Sequence, residues 1–318
     1  MRTRSRAALL AAAVALAGLS TSACGYINTL KAQMSFKDAN AAYQTQDYKK
    51  AIEKYKEALE HKPDLAMAYF YLGNSYDNLY KPARKGEAAN DANLQEAVNY
   101  YRKATETITD NPKLRKLSYE YLLAAYGSEK LNDPSQAEPI VKKMIEMDPD
   151  EPSNYFALAK IYQDAGNYEE AEKMLLAARD RRPKDSTTYM QLAAFYNSQG
   201  RFDKTIESLE ARAAAEPNNP EAYYTIATYL WDKTFRDFRL GDADKRAYLV
   251  KGVAATDKAI AIKGDYLEAI VYKGLLLRLQ ANMEKDRAKQ QELLREADSL
   301  RDRAKSLQKS KQAGAGAK

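Results

Sequence analysis

The chain has 318 residues, of which 45% are hydrophobic and 30% are charged. Its 50 lysines and arginines and 44 aspartates and glutamates give a net charge of +6, which falls to +3 without the three arginines among the first six residues. Acidic and basic residues are interspersed through the rest of the sequence, whereas phosphate binding needs basic residues concentrated on one face, so these numbers argue against a nucleic-acid partner.

The first 23 residues have the pattern of a secretory signal. The three arginines precede an apolar run from Ala7 to Leu19, and its 13 residues are too few for a membrane-spanning helix, which needs about 20. We therefore predict that residues 1–23 form a signal peptide that is removed on export.

The single cysteine of the chain, Cys24, follows this signal directly, and an unpaired cysteine in an exported protein needs an explanation. The segment 21–24 resembles the lipobox of bacterial lipoproteins, although Thr21 stands where leucine is usual. The resemblance implies a diacylated cysteine that anchors the chain to a membrane, with residues 24–31 as a short tether. The alternative is cleavage after Ala23, which leaves a soluble exported protein with a free thiol.

A lipid anchor at this position implies a location in the cell envelope. Gly25 follows the cysteine, where aspartate is associated with retention in the inner membrane of two-membrane bacteria. The expected location is therefore the outer membrane, with the chain facing the periplasm and other envelope proteins as its partners.

A period of 34 residues runs through the chain after this segment. An aromatic residue, a leucine or isoleucine and an alanine recur at spacings of three and one, which places them on one face of a helix. Glycines then mark the end of that helix, and prolines mark the end of the next. The aligned positions are Tyr155, Tyr189 and Tyr223, Leu158, Leu192 and Ile226, Ala159, Ala193 and Ala227, Gly166 and Gly200, and Pro183 and Pro217.

This pattern resembles the tetratricopeptide repeat (TPR). The resemblance implies an all-α fold, a right-handed α-solenoid of antiparallel helix pairs that forms a TPR-like superhelix, over residues 32–307. About seven repeats fit this range, and the last has the polar outer face of a capping repeat. The low-complexity residues 308–318 are expected to be a disordered basic tail.

Two repeats carry 12 to 13 extra residues, near 80–93 and 232–246. Insertions in repeat arrays generally form loops on one face, which is often the binding face. The second insertion mixes aromatic residues with arginines, and two interpretations stay open: a binding element, or a lengthened first helix whose phenylalanines cover the neighbouring repeat. Its candidate residues are Phe235, Arg236, Phe238 and Arg239.

The sequence has no motif of catalytic chemistry, metal binding or cofactor binding. The only histidine, His61, lies in the last turn of a predicted helix, where a partial positive charge is favoured. No phosphate-binding glycine loop and no pair of metal ligands occurs, so we expect a protein that is not an enzyme and needs no cofactor or metal.

In the family that the repeats resemble, the first helix of each repeat lines a groove that binds partner proteins. The resemblance implies a scaffold for a peptide segment or helix of a partner, and the alternative is a lipoprotein that binds a small ligand or glycan through aromatic groove residues. The implied groove residues are Phe36, Asn40, Tyr43, Phe70, Asn74, Asp77, Phe156, Lys160, Gln163, Met190, Asn197, Tyr224, Thr228 and Trp231.

Overall fold

The computed structural model describes residues 25–315, and Cys24 with the predicted signal peptide lies outside the described residues. Within this range the chain forms fourteen α-helices and one short 3₁₀-helix, Pro82–Arg84. The α-helices are α1 (25–44), α2 (Tyr48–His61), α3 (Ala66–Leu79), α4 (Ala88–Thr107), α5 (Pro112–Tyr126), α6 (Pro134–Met147), α7 (Pro152–Asp164), α8 (Tyr168–Arg181), α9 (Ser186–Ser198), α10 (Phe202–Ala215), α11 (Pro220–Arg236), α12 (Asp242–Ile262), α13 (Leu267–Met283) and α14 (Arg287–Ala315).

Successive helices pack in pairs, which confirms the predicted all-α fold class. Two compact units contain them: the first, up to Pro149, holds the pairs α1/α2, α3/α4 and α5/α6, and the second, from Asp150, holds α7/α8, α9/α10, α11/α12 and α13/α14. Short turns join the two helices of each pair, so they run antiparallel.

Local sequence signals set the ends of these helices. Asn111 and Asp133 are N-caps whose side chains accept hydrogen bonds from backbone N–H groups of the first turn, and prolines follow them directly as the first helical residues. The turns at Gly166 and Gly200 have φ of 76° and 68°, the left-handed region that glycine adopts without strain. The predicted role of these two glycines is therefore confirmed.

The alanines of the repeat lie where two helices approach closely. In the second unit, Ala159 of α7 and Ala171 of α8 are fully buried or nearly so, and Ala193 and Ala227 are equally enclosed. Larger side chains fill the space between successive pairs: Leu209, Leu230, Leu249 and Leu276 form a continuous apolar cluster. Small residues at the crossings and leucines between them are what the 34-residue period predicts.

Part of the extra residues of the two long repeats lengthens helices, while residues 80–87 connect α3 to α4. In the first unit α4 has 20 residues where α8 and α10 have 14 each, and the 3₁₀-helix precedes it. In the second unit the insertion lengthens α11 to 17 residues and α12 to 21, with only five residues between them.

The two ends of the described chain are also helical. Residues 25–31, predicted to be a tether, form the first turns of α1, and residues 308–315, predicted to be disordered, form the last turns of α14. No proline occurs in either helix and the first glycine of α14 is Gly314, so nothing in the sequence stops them earlier. None of the helices in residues 25–315 is both long and apolar enough to cross a membrane.

Candidate functional site

A cleft of about 440 Å³ opens in the second unit beside α9, α11 and α13. Four of its lining residues, Asn197, Thr228, Trp231 and Arg236, were predicted from the sequence as groove or insertion residues. The full lining is Asn197, Gly200, Phe202, Thr228, Tyr229, Trp231, Asp232, Lys233, Arg236 and Tyr272.

The apolar wall of the cleft is part of a row of aromatic rings. Trp231 stacks on Phe235 and meets Tyr272 edge to face, with a centroid distance of 5.6 Å to Tyr272. Tyr272 in turn contacts Tyr224 at 5.3 Å, and Tyr224 contacts Tyr266 at 5.5 Å. Five rings from α11, α13 and the residue before α13 therefore follow one another in contact, which fixes each ring in place.

The predicted groove residues Tyr224 and Trp231 are both members of this row. Tyr224 is half-buried, and burial together with the neighbouring tyrosines raises the pKa of its hydroxyl to about 12. It stays protonated, and able to donate a hydrogen bond, at any physiological pH. The indole N–H of Trp231 donates no hydrogen bond to another residue in the described part of the chain, so it is free to bind a ligand carbonyl.

Paired charges form the polar rim of the cleft. Arg236 Nε lies 2.6 Å from Asp232 Oδ1, and Lys233 Nζ lies 2.8 Å from Asp237 Oδ2. The Lys233 ammonium also lies 5.3 Å from the centre of the Phe202 ring, a cation–π distance. The hydrogen bond from Lys233 holds the pKa of the Asp237 carboxyl below its ordinary value. The charge of Arg236 is thus already balanced by Asp232 of the same helix, and the charge of Lys233 by Asp237, the residue that follows the helix.

The insertion residues extend beyond this cleft. α11 is lengthened, as one interpretation held, but Phe238 is 92% exposed and Phe235 is 55% exposed. Phe238 therefore does not cover a neighbouring repeat. The Arg236 and Arg239 side chains are also exposed, so the end of α11 presents both aromatic and basic groups to solvent.

The predicted groove residues of the first unit are held by internal contacts. Asn40 accepts a hydrogen bond from the Tyr55 hydroxyl at 2.6 Å, and Asn74 accepts one from the Tyr43 hydroxyl at 2.5 Å. Asn74 is only 4% exposed and also donates to the Tyr101 hydroxyl at 3.3 Å. The carbonyl oxygens of both amides are thus used in contacts between helices, and Asn74 is too buried to bind a peptide backbone.

Asp77, Phe36 and Phe70 belong to the same interior. Asp77 accepts a hydrogen bond from Tyr101 and its Oδ1 lies 2.5 Å from Lys130 Nζ. Phe36 packs on Tyr55, and Phe70 contacts an edge of Tyr121 at 5.5 Å between centroids. In the first unit, therefore, the predicted groove residues mainly make contacts within the fold.

The predicted residues of repeats four and five lie outside the aromatic row. Phe156 and Gln163 are half-buried on α7, and the exposed Lys160 pairs with Asp164 one turn along. Met190 packs against the main cluster of the second unit, and its sulfur lies 3.2 Å from Arg212 Nη1. Only Asn197 of this group faces the cleft, and its side chain makes no hydrogen bond to another described residue.

Two separate stretches of the sequence match repeat families. Residues 130–194 match the family described as tetratricopeptide repeat, and residues 39–79 match the family described as TPR repeat. The chain contains tetratricopeptide repeats. Tetratricopeptide repeats are non-catalytic scaffolds that bind proteins or peptides, so this repeat protein is a binding scaffold and not an enzyme. Comparison with curated proteins found no match.

Several solved structures resemble this tetratricopeptide repeat protein. The C-terminal part of a TPR repeat-containing protein from Cytophaga hutchinsonii has a TM-score of 0.52 and 15% identity, covering 83% of this chain and 95% of that one. A tetratricopeptide repeat protein from Parabacteroides merdae has a TM-score of 0.45 and 15% identity, covering 84% and 99%. YrrB, described as a TPR protein with an unusual peptide-binding site, has a TM-score of 0.40 and 20% identity, covering 60% and 89%. The similarity to the Cytophaga hutchinsonii structure, with its TM-score of 0.52, supports the fold described above.

Sequence reasoning missed six residues that line the cleft of this repeat protein, among them Tyr272 and Phe202. Tyr272 follows Ile270 by two residues in the last repeat, as Tyr71 follows Tyr69 in the second, and both tyrosines lie in aromatic clusters. A search for aromatics two residues beyond the first repeat position would have found Tyr272. No group of metal-ligating side chains suited to an ion occurs within residues 25–315.

Proposed function

We propose that this tetratricopeptide repeat protein is a scaffold of the bacterial cell envelope, which binds a segment of a partner protein in the cleft beside α9, α11 and α13. The observation that carries the proposal is the ring row from Tyr266 to Phe235, with an open cleft at Trp231 and Tyr272. Rigid aromatic surfaces beside polar groups are the usual anchors of protein interfaces.

The polar groups of the cleft suit a peptide backbone. Asn197 supplies an amide that can donate and accept, and Trp231 supplies an N–H donor, both at the edge of the apolar wall. An apolar side chain of the ligand would pack on the rings while its own backbone meets these groups. Since the rings continue past the cleft towards Tyr266, an extended segment or a helix fits better than a compact small molecule.

The charges of the rim narrow the class of ligand further. A site for a terminal carboxylate needs cations without partners, whereas Arg236 and Lys233 are paired with Asp232 and Asp237. The ligand that this arrangement favours is an internal segment of a protein with an apolar anchor residue, not a free C-terminus.

The envelope location rests on the N-terminal sequence. The signal-like residues 1–23, the single cysteine at position 24 and the resemblance of residues 21–24 to a lipobox support export and lipid anchoring. Gly25 after the cysteine supports the outer membrane as its destination.

Affinity capture from crosslinked cells of the native host tests the binding proposal. Wild-type protein is compared with Trp231→Ala and with Tyr168→Ala, a matched control because Tyr168 is an exposed aromatic of the same unit that does not line the cleft. We expect one set of partner proteins with wild type and Tyr168→Ala, and its loss with Trp231→Ala.

The next step is a synthetic segment of the captured protein, titrated by calorimetry against the same three proteins. Binding that Trp231→Ala leaves unchanged would place the partner elsewhere on the chain. Reproducible recovery of no protein, together with a measurable affinity for sugars, would replace the scaffold by a glycan-binding protein.

A further inference from the structure

Four large apolar side chains lie exposed on the N-terminal half of α1. Tyr26 is 73% exposed, Ile27 50%, Leu30 48% and Met34 60%. Such a concentration on one short segment is unusual, because most apolar side chains that a folded protein exposes are scattered singly. We call these four residues the outer face of α1.

The outer face lies on the side of α1 that points away from the protein core. At about 100° per residue, its four members fall within an arc of roughly 100°. The core-facing residues of the same helix, Ala32, Phe36, Ala39 and Tyr43, are centred on nearly the opposite side, and Ala32 and Ala39 are completely buried. The helix therefore has two apolar faces, of which the protein covers one.

The first turns of α1 contain no buried residue. α2 ends at His61, and the first buried residue of α1 is Ala32. The seven described residues before Ala32 extend for about 10 Å at a rise of 1.5 Å per residue. Tyr26, Ile27 and Leu30 thus lie in the part of α1 that precedes its first buried residue.

The charges around the outer face are positive. Between residues 25 and 37 the only charged side chains are Lys31 and Lys37, and the first carboxylate is Asp38. Both lysines are exposed and lie near the edges of the apolar arc. Long lysine stems can lie along an apolar surface while the ammonium groups reach anionic phosphates.

We propose that the outer face of α1 lies in the headgroup layer of a phospholipid membrane, with Lys31 and Lys37 on anionic lipid phosphates. This inference rests on the envelope location proposed above, because the chain is already helical at Gly25, the residue that follows Cys24. Two observations favour a lipid bilayer as the partner of this face: its position close to Cys24, and the positive charges of Lys31 and Lys37. Membrane binding by such a helix face grows with the apolar area that it buries and with its attraction to anionic lipids, so this face adds to the attachment by the lipid anchor.

Vesicle flotation of the unlipidated protein tests this face separately from the anchor. The chain from residue 24 with Cys24→Ala is mixed with vesicles of phosphatidylethanolamine and phosphatidylglycerol. We expect it to float with the vesicles, less so at high salt, which screens the lysines. Adding Ile27→Gln, Leu30→Gln and Met34→Gln should lower the bound fraction roughly tenfold or more, since binding follows the apolar area inserted.

A matched control carries Val250→Gln, Ile262→Gln and Val271→Gln instead, which removes three exposed apolar side chains from the other unit. It should bind vesicles like the Cys24→Ala parent. Helical circular dichroism of both triple variants shows that they fold, as glutamine is a good helix former.

Two results would overturn the inference. The first is that the Cys24→Ala parent binds no vesicles. The second is that this parent binds no vesicles but forms a concentration-dependent dimer, which the α1 substitutions abolish. The second result would assign the outer face of α1 to contact with a second copy of the chain. Failure of the lipid anchor is a different result, seen as wild-type protein that metabolic labelling with a radioactive fatty acid leaves unlabelled. Failure of the cleft proposal shows only in partner capture.

Discussion

Trp231 lies against Phe235 with their ring centroids 4.9 Å apart and their planes 9° from parallel. Trp231 is also the only tryptophan of the chain, so its fluorescence reports on the cleft alone. A bound partner segment should cover the indole and shift its emission to shorter wavelength, which a fluorescence titration measures. Tyr272→Ala should weaken that binding about tenfold, because it removes one wall. Binding seen by calorimetry without any change in emission would contradict this assignment.

The two asparagines predicted for the groove should respond oppositely to substitution. Asn74→Ala removes a hydrogen-bond partner of the half-buried Tyr43 hydroxyl and of the buried Tyr101 hydroxyl and should lower the free energy of unfolding by about 1–3 kcal/mol. Asn197→Ala changes an exposed side chain and should leave stability unchanged but weaken partner binding. Denaturant unfolding and calorimetric titration of both variants check this pair, and equal loss of stability in the two would refute it.

A close helix crossing depends on Gly73. A Cβ atom there would lie 3.0 Å from Tyr101 Cδ1 and 3.2 Å from the Ala97 carbonyl oxygen, which is backbone and cannot turn away. Although Gly73→Ala gains about 1 kcal/mol of helix propensity, overpacking costs about 1–3 kcal/mol, so we expect a net loss of stability. The control is Gly264→Ala, whose Cβ would meet nothing within 4 Å and should be neutral in thermal unfolding.

Glu172 should make stability depend on pH in the acid range. Hydrogen bonds from Arg201, Lys204 and Tyr196 lower the pKa of its carboxyl from 4.5 to about 2. Its contribution is therefore complete above about pH 4.5 and is lost as the pH falls towards 2.

At pH 7 Glu172→Gln should cost about 1 kcal/mol, because solvent screens the partly exposed cations. Urea unfolding at several pH values should show the difference from wild type vanish near pH 2. Glu170→Gln, which breaks only an exposed pair with Lys173, serves as the control and should have little effect at any of these values. A difference for Glu172→Gln that is independent of pH would refute this role.

Export and anchoring are tested at Cys24. Cys24→Ala combined with Ile27→Gln, Leu30→Gln and Met34→Gln should move the protein from the membrane fraction to the soluble periplasmic fraction, since neither the acyl chains nor the outer face of α1 then attaches it to the membrane. Metabolic labelling with a radioactive fatty acid should mark the wild type and the control Ser22→Ala, but not Cys24→Ala. If the wild-type protein is not labelled, Cys24 is not acylated, and the alternative of a soluble exported protein with a free thiol at Cys24 holds.

The order of the helices was largely predictable from the sequence. The 34-residue period placed Tyr155, Leu158 and Ala159 on one helix face, and the glycines at 166 and 200 marked the turns, because spacing and backbone freedom are local properties. The additional residues of the long repeats were less predictable. Whether such residues loop out or continue a helix depends on what lies beside them, and in α4, α11 and α12 they continue the helix.

The sequence by itself determined the repeat class and selected two residues of the ring row, Tyr224 and Trp231, because repeat position decides which side a residue faces. Only the tertiary structure separated Asn74, which bonds to Tyr43 and Tyr101, from Asn197, which remains free at the cleft. It also brought Tyr272 of α13 against Trp231 of α11. Periodicity gives the direction of a side chain on its own helix, but the groups that the side chain contacts come from neighbouring helices. The packing of those helices therefore decides whether a polar side chain bonds inside the fold or stays available to a ligand.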